Sequence, residues 1–236
     1  MAIEINADIG EGWDDARLLP YVERASIACG GHAGDAASMA QALRLCARYA
    51  VKAGAHPGYP DRENFGRRPL PAAPEAISRW VAEQVGGLAE IANGLGIELF
   101  HVKPHGALYN LAAADEAVGG ALLEAMGRLP GLALIVLAGS PLAAQARACG
   151  VAVLEEAFAD RRYLADGRLA PRRMPGAVIE SAPEAAAQAQ ALARGAPLAT
   201  LDGGRLVLRA DTLCLHGDLE NAETYARAVR EALRGM

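Results

Sequence analysis

Lysine is nearly missing from this chain. Of 23 basic residues only Lys52 and Lys103 are not arginine. Where Arg is used almost everywhere, a Lys marks a place that a planar guanidinium does not fit, because its charge is compact and burial can tune its pKa. Lys103, flanked by two histidines, is the stronger candidate; Lys52 also reads as a solvated residue entering a strand. Aromatics are scarce, with three Phe and two Trp, so Ala, Leu and Val must fill most of the core. The four cysteines, Cys29, Cys46, Cys149 and Cys214, are far apart and form no Cys-x-x-Cys pair, which argues against a structural zinc site. Cys46 and Cys149 fall in helical patterns and are expected to pack as small buried hydrophobes. No window approaches the roughly 18 apolar residues of a membrane span, and the first residues lack a basic segment followed by an apolar one. The phosphate loop Gly-x-x-x-x-Gly-Lys-Ser/Thr is absent, so any nucleotide must bind differently or on a partner. A net charge of −5 argues against nucleic acid and anionic membranes as default partners. A soluble cytoplasmic protein is the simplest expectation.

Strand-like and helix-like stretches alternate along the 236 residues. Strands are expected at 3–8, 26–30, 53–56, 98–103, 133–138, 151–156 and 212–216. Helices are expected at 35–50, 74–93, 115–129, 141–149, 183–194 and 220–234, with a short helical piece at 20–25. A polar loop covers 58–68 and a long irregular one 161–177. Asp202-Gly203-Gly204 sits between two short apolar runs as a hairpin turn. Repeated βα units imply a parallel sheet with right-handed crossovers. The pattern favours one (β/α) TIM-like barrel domain over residues 1–236, distorted or incomplete, rather than an open sheet.

What the chain does have is histidine in the right places. His32, His56, His101, His105 and His216 all lie in or at the ends of strand-like runs, and none on an expected helix face. Polar residues in these runs recur with period two. Asn6 and Asp8 share a face, as do His101 and Lys103, and Cys214 and His216. In a barrel the outer face meets helices and must be apolar, so the polar set must look inward. Charged groups there are costly unless they serve each other, water or a ligand. Active sites of parallel α/β folds form where strand ends gather. The pattern points to an enzyme with one polar cleft.

Four segments carry candidate chemistry. Asn6-Ala7-Asp8-Ile9-Gly10-Glu11-Gly12 offers Asp8 as a general base or metal ligand, or as a turn former. Cys29-Gly30-Gly31-His32-Ala33-Gly34-Asp35 is a glycine-rich strand end that suits an anion, with Asp35 equally a helix cap. Asp61-Arg62-Glu63-Asn64-Phe65-Gly66-Arg67 is a solvated loop, or a lid whose Arg62 or Arg67 holds a carboxylate. Glu155-Glu156-Ala157-Phe158-Ala159-Asp160-Arg161 ends in acids, with Asp160 and Arg161 as an ion pair or a substrate clamp.

Together with Gly54-Ala55-His56-Pro57, Val102-Lys103-Pro104-His105-Gly106-Ala107-Leu108-Tyr109-Asn110 and Cys214-Leu215-His216-Gly217-Asp218, these strings resemble the LamB/YcsF family from the first strand to the last helix. The resemblance implies a distorted (β/α) barrel of the glycoside hydrolase/deacetylase type. It implies a hydrolase that opens the cyclic amide of 5-oxo-L-proline to L-glutamate, with ATP as co-substrate, Mg accompanying ATP, and two partner subunits, B and C. A lactam is a poor electrophile; phosphorylating its oxygen creates a leaving group, and water then attacks. On this reading Asp8 or His56 is the base, and Lys103 and His105 stabilise charge on oxygen. Arg62 or Arg161 holds the substrate carboxylate, and Asn6, His32, Asp160 and His216 complete the substrate wall. Lys103→Met is expected to abolish turnover without unfolding the chain. Two departures from the family stand out: Gly31 where a bulky aromatic is frequent, expected to widen the pocket, and Arg162 where a small residue is usual. Two other readings stay open: a divalent-metal amide or sugar hydrolase with Asp8, His32 and His56 as ligands, and a non-catalytic 5-oxoproline-binding protein.

Overall fold

The computed structural model describes residues 3–215 and 221–235. Its strands are β1 (Glu4–Ile9), β2 (Arg24–Ala28), β3 (Lys52–His56), β4 (Leu99–Val102), β5 (Ala133–Leu137), β6 (Val153–Phe158), β7 (Leu198–Ala199), β8 (Arg205–Leu206) and β9 (Thr212–Leu215). Seven of them, all parallel, close into a barrel in the order β1-β2-β3-β4-β5-β6-β9. Closure comes from β9, which pairs with β1 on one side and β6 on the other. The β7–β8 pair is an antiparallel hairpin outside the barrel. The helices are α1 (Ala36–Tyr49), α2 (Pro74–Gly94), α3 (Gly106–Ala114), α4 (Glu116–Gly127), α5 (Pro141–Ala148), α6 (Ala182–Arg194) and α7 (Ala222–Arg234). Among the described residues no helix is long and apolar enough to cross a membrane.

Local chemistry explains the helix ends. Asp35 starts α1 with a reciprocal capping box: its carboxylate accepts from Ser38 N at 2.8 Å, and Ser38 Oγ accepts from Asp35 N at 2.8 Å. Of the two readings left open for this exposed residue, the cap is the one in place. Pro74 and Pro141 stand in the first turns of α2 and α5, where a missing N–H costs nothing. Gly195 closes α6 with φ of 61°. On α2, Ile77, Val81, Val85, Leu88 and Ala92 recur at helical spacing and are all buried.

Two elements differ from the sequence reading. The helical piece expected at 20–25 is a 3-10 turn over Leu19–Tyr21, and Arg24 and Ala25 already belong to β2. Helix α3 has no counterpart among the expected helices. Its run GALYNLAAA buries Ala107, Leu108, Tyr109, Ala112 and Ala113, so it lacks the polar stripe that marks an amphipathic helix. It also opens on Gly106 at φ of +55°, where an added Cβ would lie 2.7 Å from the Gly66 carbonyl oxygen. Cys149, expected inside, is exposed at the end of α5, whereas Cys46 is buried.

Inside the barrel the polar side chains form three layers. At the floor, Glu4 holds Arg24 and, at 3.0 Å, Lys52 Nζ. In the middle, Asn6 Nδ2 donates to Thr212 Oγ1 at 2.9 Å, and Ser26 Oγ lies 3.2 Å from His101 Nε2. Gly54 makes room for that imidazole, since a Cβ there would fall 2.3 Å from His101 Nε2. The top layer carries Asp8, His56, Lys103, Glu156 and Cys214. Apart from Glu4–Arg24 and Asn6–Thr212, these contacts cross between strands that are not neighbours, which puts the polar faces of those strands inside.

Candidate active site

Lys103 is the hub of the top layer. It follows β4 and is almost fully buried. Its Nζ lies 2.9 Å from Asp8 Oδ1, 2.8 Å from Glu156 Oε1, 3.1 Å from Asn6 Oδ1 and 3.1 Å from Cys214 Sγ. Burial works against the ammonium, but the carboxylates of Asp8 and Glu156 override it and hold its pKa well above the ordinary lysine value. An ammonium has three hydrogens, and these partners occupy them all.

Above Lys103 three imidazoles converge on Glu11. His56 Nδ1 lies 2.7 Å from the Lys103 carbonyl oxygen, and His105 Nε2 lies 2.9 Å from the Phe65 carbonyl oxygen. A carbonyl only accepts, so each of these nitrogens carries the proton. In the neutral rings the opposite nitrogens, His56 Nε2 and His105 Nδ1, are then bare, yet they face each other at 3.0 Å. A proton or a cation has to lie between them. Glu11 Oε1 is 2.9 Å from His32 Nε2, 3.3 Å from His105 Nδ1 and 3.7 Å from His56 Nε2. His32 stacks on His105 with ring centroids 3.6 Å apart. One ligand atom from each of Glu11, His32, His56 and His105 lies within 4.8 Å of the other three. That donor set of nitrogens and one carboxylate oxygen suits a zinc-type divalent ion.

The environment separates these groups electrostatically. Burial alone would raise Glu11, but the imidazoles of His105 and His32 hold its carboxyl well below the usual range. Burial pulls His32 down to about 4, against the pull of Glu11. Burial also lowers His105. His56 goes the other way: although buried, it sits 3.4 Å from Asp8 Oδ2, and that carboxylate raises its pKa. His56 is therefore the imidazole best placed to hold the shared proton.

The backbone of Phe65 is part of this design. It adopts φ of 54°, a left-handed conformation rare for a bulky residue, and this turn presents its carbonyl to His105. Its ring meets His32 and His105 edge-on at 5.3 Å. Strain kept at such a position is typical of functional sites.

The cluster forms the inner end of a cleft of about 860 Å³ whose lining includes Asp8, Glu11, His56, Lys103 and His105. Arg161 also lines it, 7% exposed, with Nη2 donating to the Ala170 carbonyl at 2.6 Å. Several expected residues stand elsewhere. Arg62 is exposed, bonds the Gly34 carbonyl and does not line the cleft; the loop instead turns Arg67 toward it. Asn6 is 0% exposed beneath Lys103, too deep to meet a substrate. Asp160, 1% exposed, lies outside the lining and acts on Arg161 as a neighbouring charge. His32 stands behind His105 rather than in the wall. His216 lies outside the described residues. Gly31 does not widen the pocket, because a Cβ there would lie 2.3 Å from Gln84 Oε1 and 2.7 Å from the Gly58 carbonyl oxygen, and the Gln84 side chain fills the space. Arg162 turns away to pair with Glu184 on α6.

Two acids of the site are absent from the sequence-based candidates. Glu11, rather than Asp8, joins the histidine cluster, and its signal is its place two residues beyond the strand in a glycine-flanked turn. Glu156 is 0% exposed on the inner face of β6, and its signal is a carboxylate two residues before Phe158, on the opposite face from Glu155, which pairs with Arg147.

Comparison with known proteins fits this geometry. The LamB/YcsF family model matches residues 3–236. A protein of Syntrophobacter fumaroxidans named as the A subunit of 5-oxoprolinase is 45% identical over 240 aligned residues, covering 99% of this chain and 95% of the relative. The crystal structure of a lactam utilization protein from Thermus thermophilus superposes with a TM-score of 0.92 at 42% identity, covering 100% of this chain and 97% of that one. A family 4 carbohydrate esterase from Streptomyces lividans shares the fold alone, with a TM-score of 0.50 at 12% identity over 99% of this chain and 88% of its own. From its first strand to its last helix, with the buried acids and histidines described above, the chain belongs to the LamB/YcsF family.

Proposed function

We propose that the chain is the A subunit of an ATP-dependent 5-oxoprolinase, which opens 5-oxo-L-proline to L-glutamate at this cleft in concert with partner subunits, B and C. The observation that carries the reading is the convergence of Asp8, Glu11, His56 and His105 at the inner end of a cleft whose wall holds Arg161, in a chain 45% identical to a protein named for that activity. Arg161 receives the substrate carboxylate as a charge-assisted pair. His56, with Asp8 at 3.4 Å, passes the shared proton to His105 Nδ1 and then takes the proton from the attacking water. His105 donates or receives a proton at the lactam edge through Nδ1. Lys103 is a positioning residue: with every N–H engaged, it fixes Asp8 and balances its charge instead of meeting the oxyanion. ATP supplies the driving force by phosphorylating the amide oxygen.

Glutamate release from 5-oxoproline and ATP, measured with this chain alone and with its two partners, tests the reading. Turnover only in the mixture supports a composite site. No turnover in either sample overturns it.

The converging bare nitrogens of His56 and His105 favour a second reading, a divalent-metal hydrolase. Glu11, His32, His56 and His105 would hold the ion, which supplies Lewis acidity and an activated water. Elemental analysis of purified protein before and after chelation separates the two; bound metal at one equivalent whose removal abolishes amide hydrolysis without ATP selects the second.

A further inference from the structure

Helix α2 carries an amide in its apolar stripe. Gln84 follows Val81 by three residues and precedes Leu88 by four, on the face that takes Ile77, Val81, Val85 and Leu88 into the core. An amide in that place must find partners or weaken the packing. Its partners are the two main-chain groups of one residue outside the helix. Gln84 Oε1 accepts from Gly58 N at 3.0 Å, and Gln84 Nε2 donates to the Gly58 carbonyl oxygen at 2.8 Å. This exchange of both bonds copies the pairing of two antiparallel strands, and it fixes Gly58 in position and in orientation. Trp80, one turn earlier on α2, meets the Tyr59 ring edge-on at 6.4 Å and ties the helix to the same segment a second time.

What the clamp holds is a wedge beside the histidines. Gly58 lies so close to the stacked imidazoles that a Cβ there would fall 2.8 Å from His32 Nδ1 and 3.3 Å from His105 Cβ. Pro57, just before it, accepts from His105 N at 2.8 Å. The place of Gly58 therefore sets where the His32–His105 stack can stand, and with it the 3.0 Å between His105 Nδ1 and His56 Nε2. Gly31 completes the arrangement from the other side. A Cβ there would lie 2.3 Å from Gln84 Oε1 and 2.7 Å from the Gly58 carbonyl oxygen, so the clamp closes only over a glycine. A leucine at position 84 would continue the apolar stripe; only an amide holds Gly58 from two directions at once.

We propose that Gln84 is a positioning residue of the active site: acting through Gly58, it steadies the His32–His105 stack and keeps His105 Nδ1 against His56 Nε2. The inference deepens the 5-oxoprolinase reading and rests on it for the chemistry, whereas the alignment of the two imidazoles can be observed without turnover.

Nuclear magnetic resonance of the full chain labelled with 15N-histidine tests the alignment. Turnover of 5-oxoproline and ATP in the mixture with both partner subunits tests its use. Gln84→Met keeps the length of the side chain and removes both bonds. It is expected to move the His56 Nε2 and His105 Nδ1 resonances and to lower kcat about tenfold, because a misplaced catalytic group is costly, with the KM for 5-oxoproline within about twofold. Gly31→Ala presses on both partners of the clamp; it is expected to give the same signature, and it carries the test if Gln84→Met does not fold. Gln190→Met removes another amide-to-backbone bond, from α6 to the Ala232 carbonyl at 3.1 Å, and is expected to leave the resonances and kcat as in the parent. Unchanged resonances in Gln84→Met and Gly31→Ala, with or without a lower kcat, would overturn the inference. So would moved resonances with the parent kcat, or a rise in KM alone. Moved resonances in a mixture whose parent protein shows no turnover would uphold the positioning role and count against the lactam reading.

Discussion

Replacing Lys103 by Met takes one positive charge from a buried set that holds two negative ones. Asp8 and Glu156 would face each other across an apolar side chain, with Asn6 Oδ1 deprived of its donor. Breaking a buried pair by removing one partner costs about 3–5 kcal/mol, because the charge left behind is unsolvated. For a chain of this size each kcal/mol lowers the midpoint of thermal unfolding by about 2–4 °C, so Lys103→Met should unfold about 6–20 °C below the parent at about pH 8. The sequence-based expectation of an intact fold is replaced by this one. The penalty should also depend on pH. In the parent, Lys103 has a raised folded pKa, so its contribution is complete below the unfolded lysine value and constant between about pH 5 and 8. In the variant Glu156 loses its lysine while Asp8 keeps His56; burial of the uncompensated charge favours protonation, and the stability retained that way is present at low pH and lost as pH rises. Urea midpoints of the two proteins should therefore converge from about pH 8 to about pH 5. A variant that matches the parent at the alkaline end, or a gap that widens toward the acid end, would refute the charge-balance account.

Acid should destabilise the parent through its neutral histidines: His32 at about 4 and His101 at about 3 both lie below the unfolded value, so stability is full above about pH 6.5 and falls as pH drops toward about 4. His101→Gln should flatten that acid limb in a urea titration. Gly66→Ala should cost about 1–3 kcal/mol and most of the activity, since Gly66 has φ of +60° and a Cβ would lie 2.8 Å from His32 Cβ; denaturant midpoint and turnover, measured together, check it. Glu156→Gln should lower kcat and shift the pH profile while leaving the KM for 5-oxoproline within about twofold, because Glu156 meets Lys103 and not the substrate; a pure KM effect would argue against that placement. Asp35→Ala should lower the urea midpoint by loss of the α1 cap without affecting turnover, read beside the parent's.

Much of this is legible in the sequence for a simple reason: a strand exposes its two faces alternately, and the alternation of Asn6 with Ala7 and of His101 with Val102 survives any choice of partner strand. The polar interior follows from that, once the repeated βα units have given a parallel barrel. Arg62 against Arg67 is not legible. Both sit in one charged loop, and the choice between them is made by the left-handed turn at Phe65 and Gly66, which depends on packing against His32 and His105. The role of Glu156 stays hidden because its burial is intelligible only once Lys103, 53 positions earlier in the chain, is brought 2.8 Å from it. Helix α3 is invisible because it is apolar on most sides, and periodicity needs contrast.

The floor of the barrel has a consequence of its own. Glu4, Arg24 and Lys52 are tied together at one end, and Asn6, Ser26, His101 and Thr212 above them are all 0% exposed. The polar column is thus a vessel with a bottom, not a pipe. Among the described residues the cleft is the doorway that substrate, water, protons and product would share, and whatever sits on it would act on all four at once. A partner docked over the mouth would need no contact with the histidines to govern their chemistry; it would suffice to decide when the door opens.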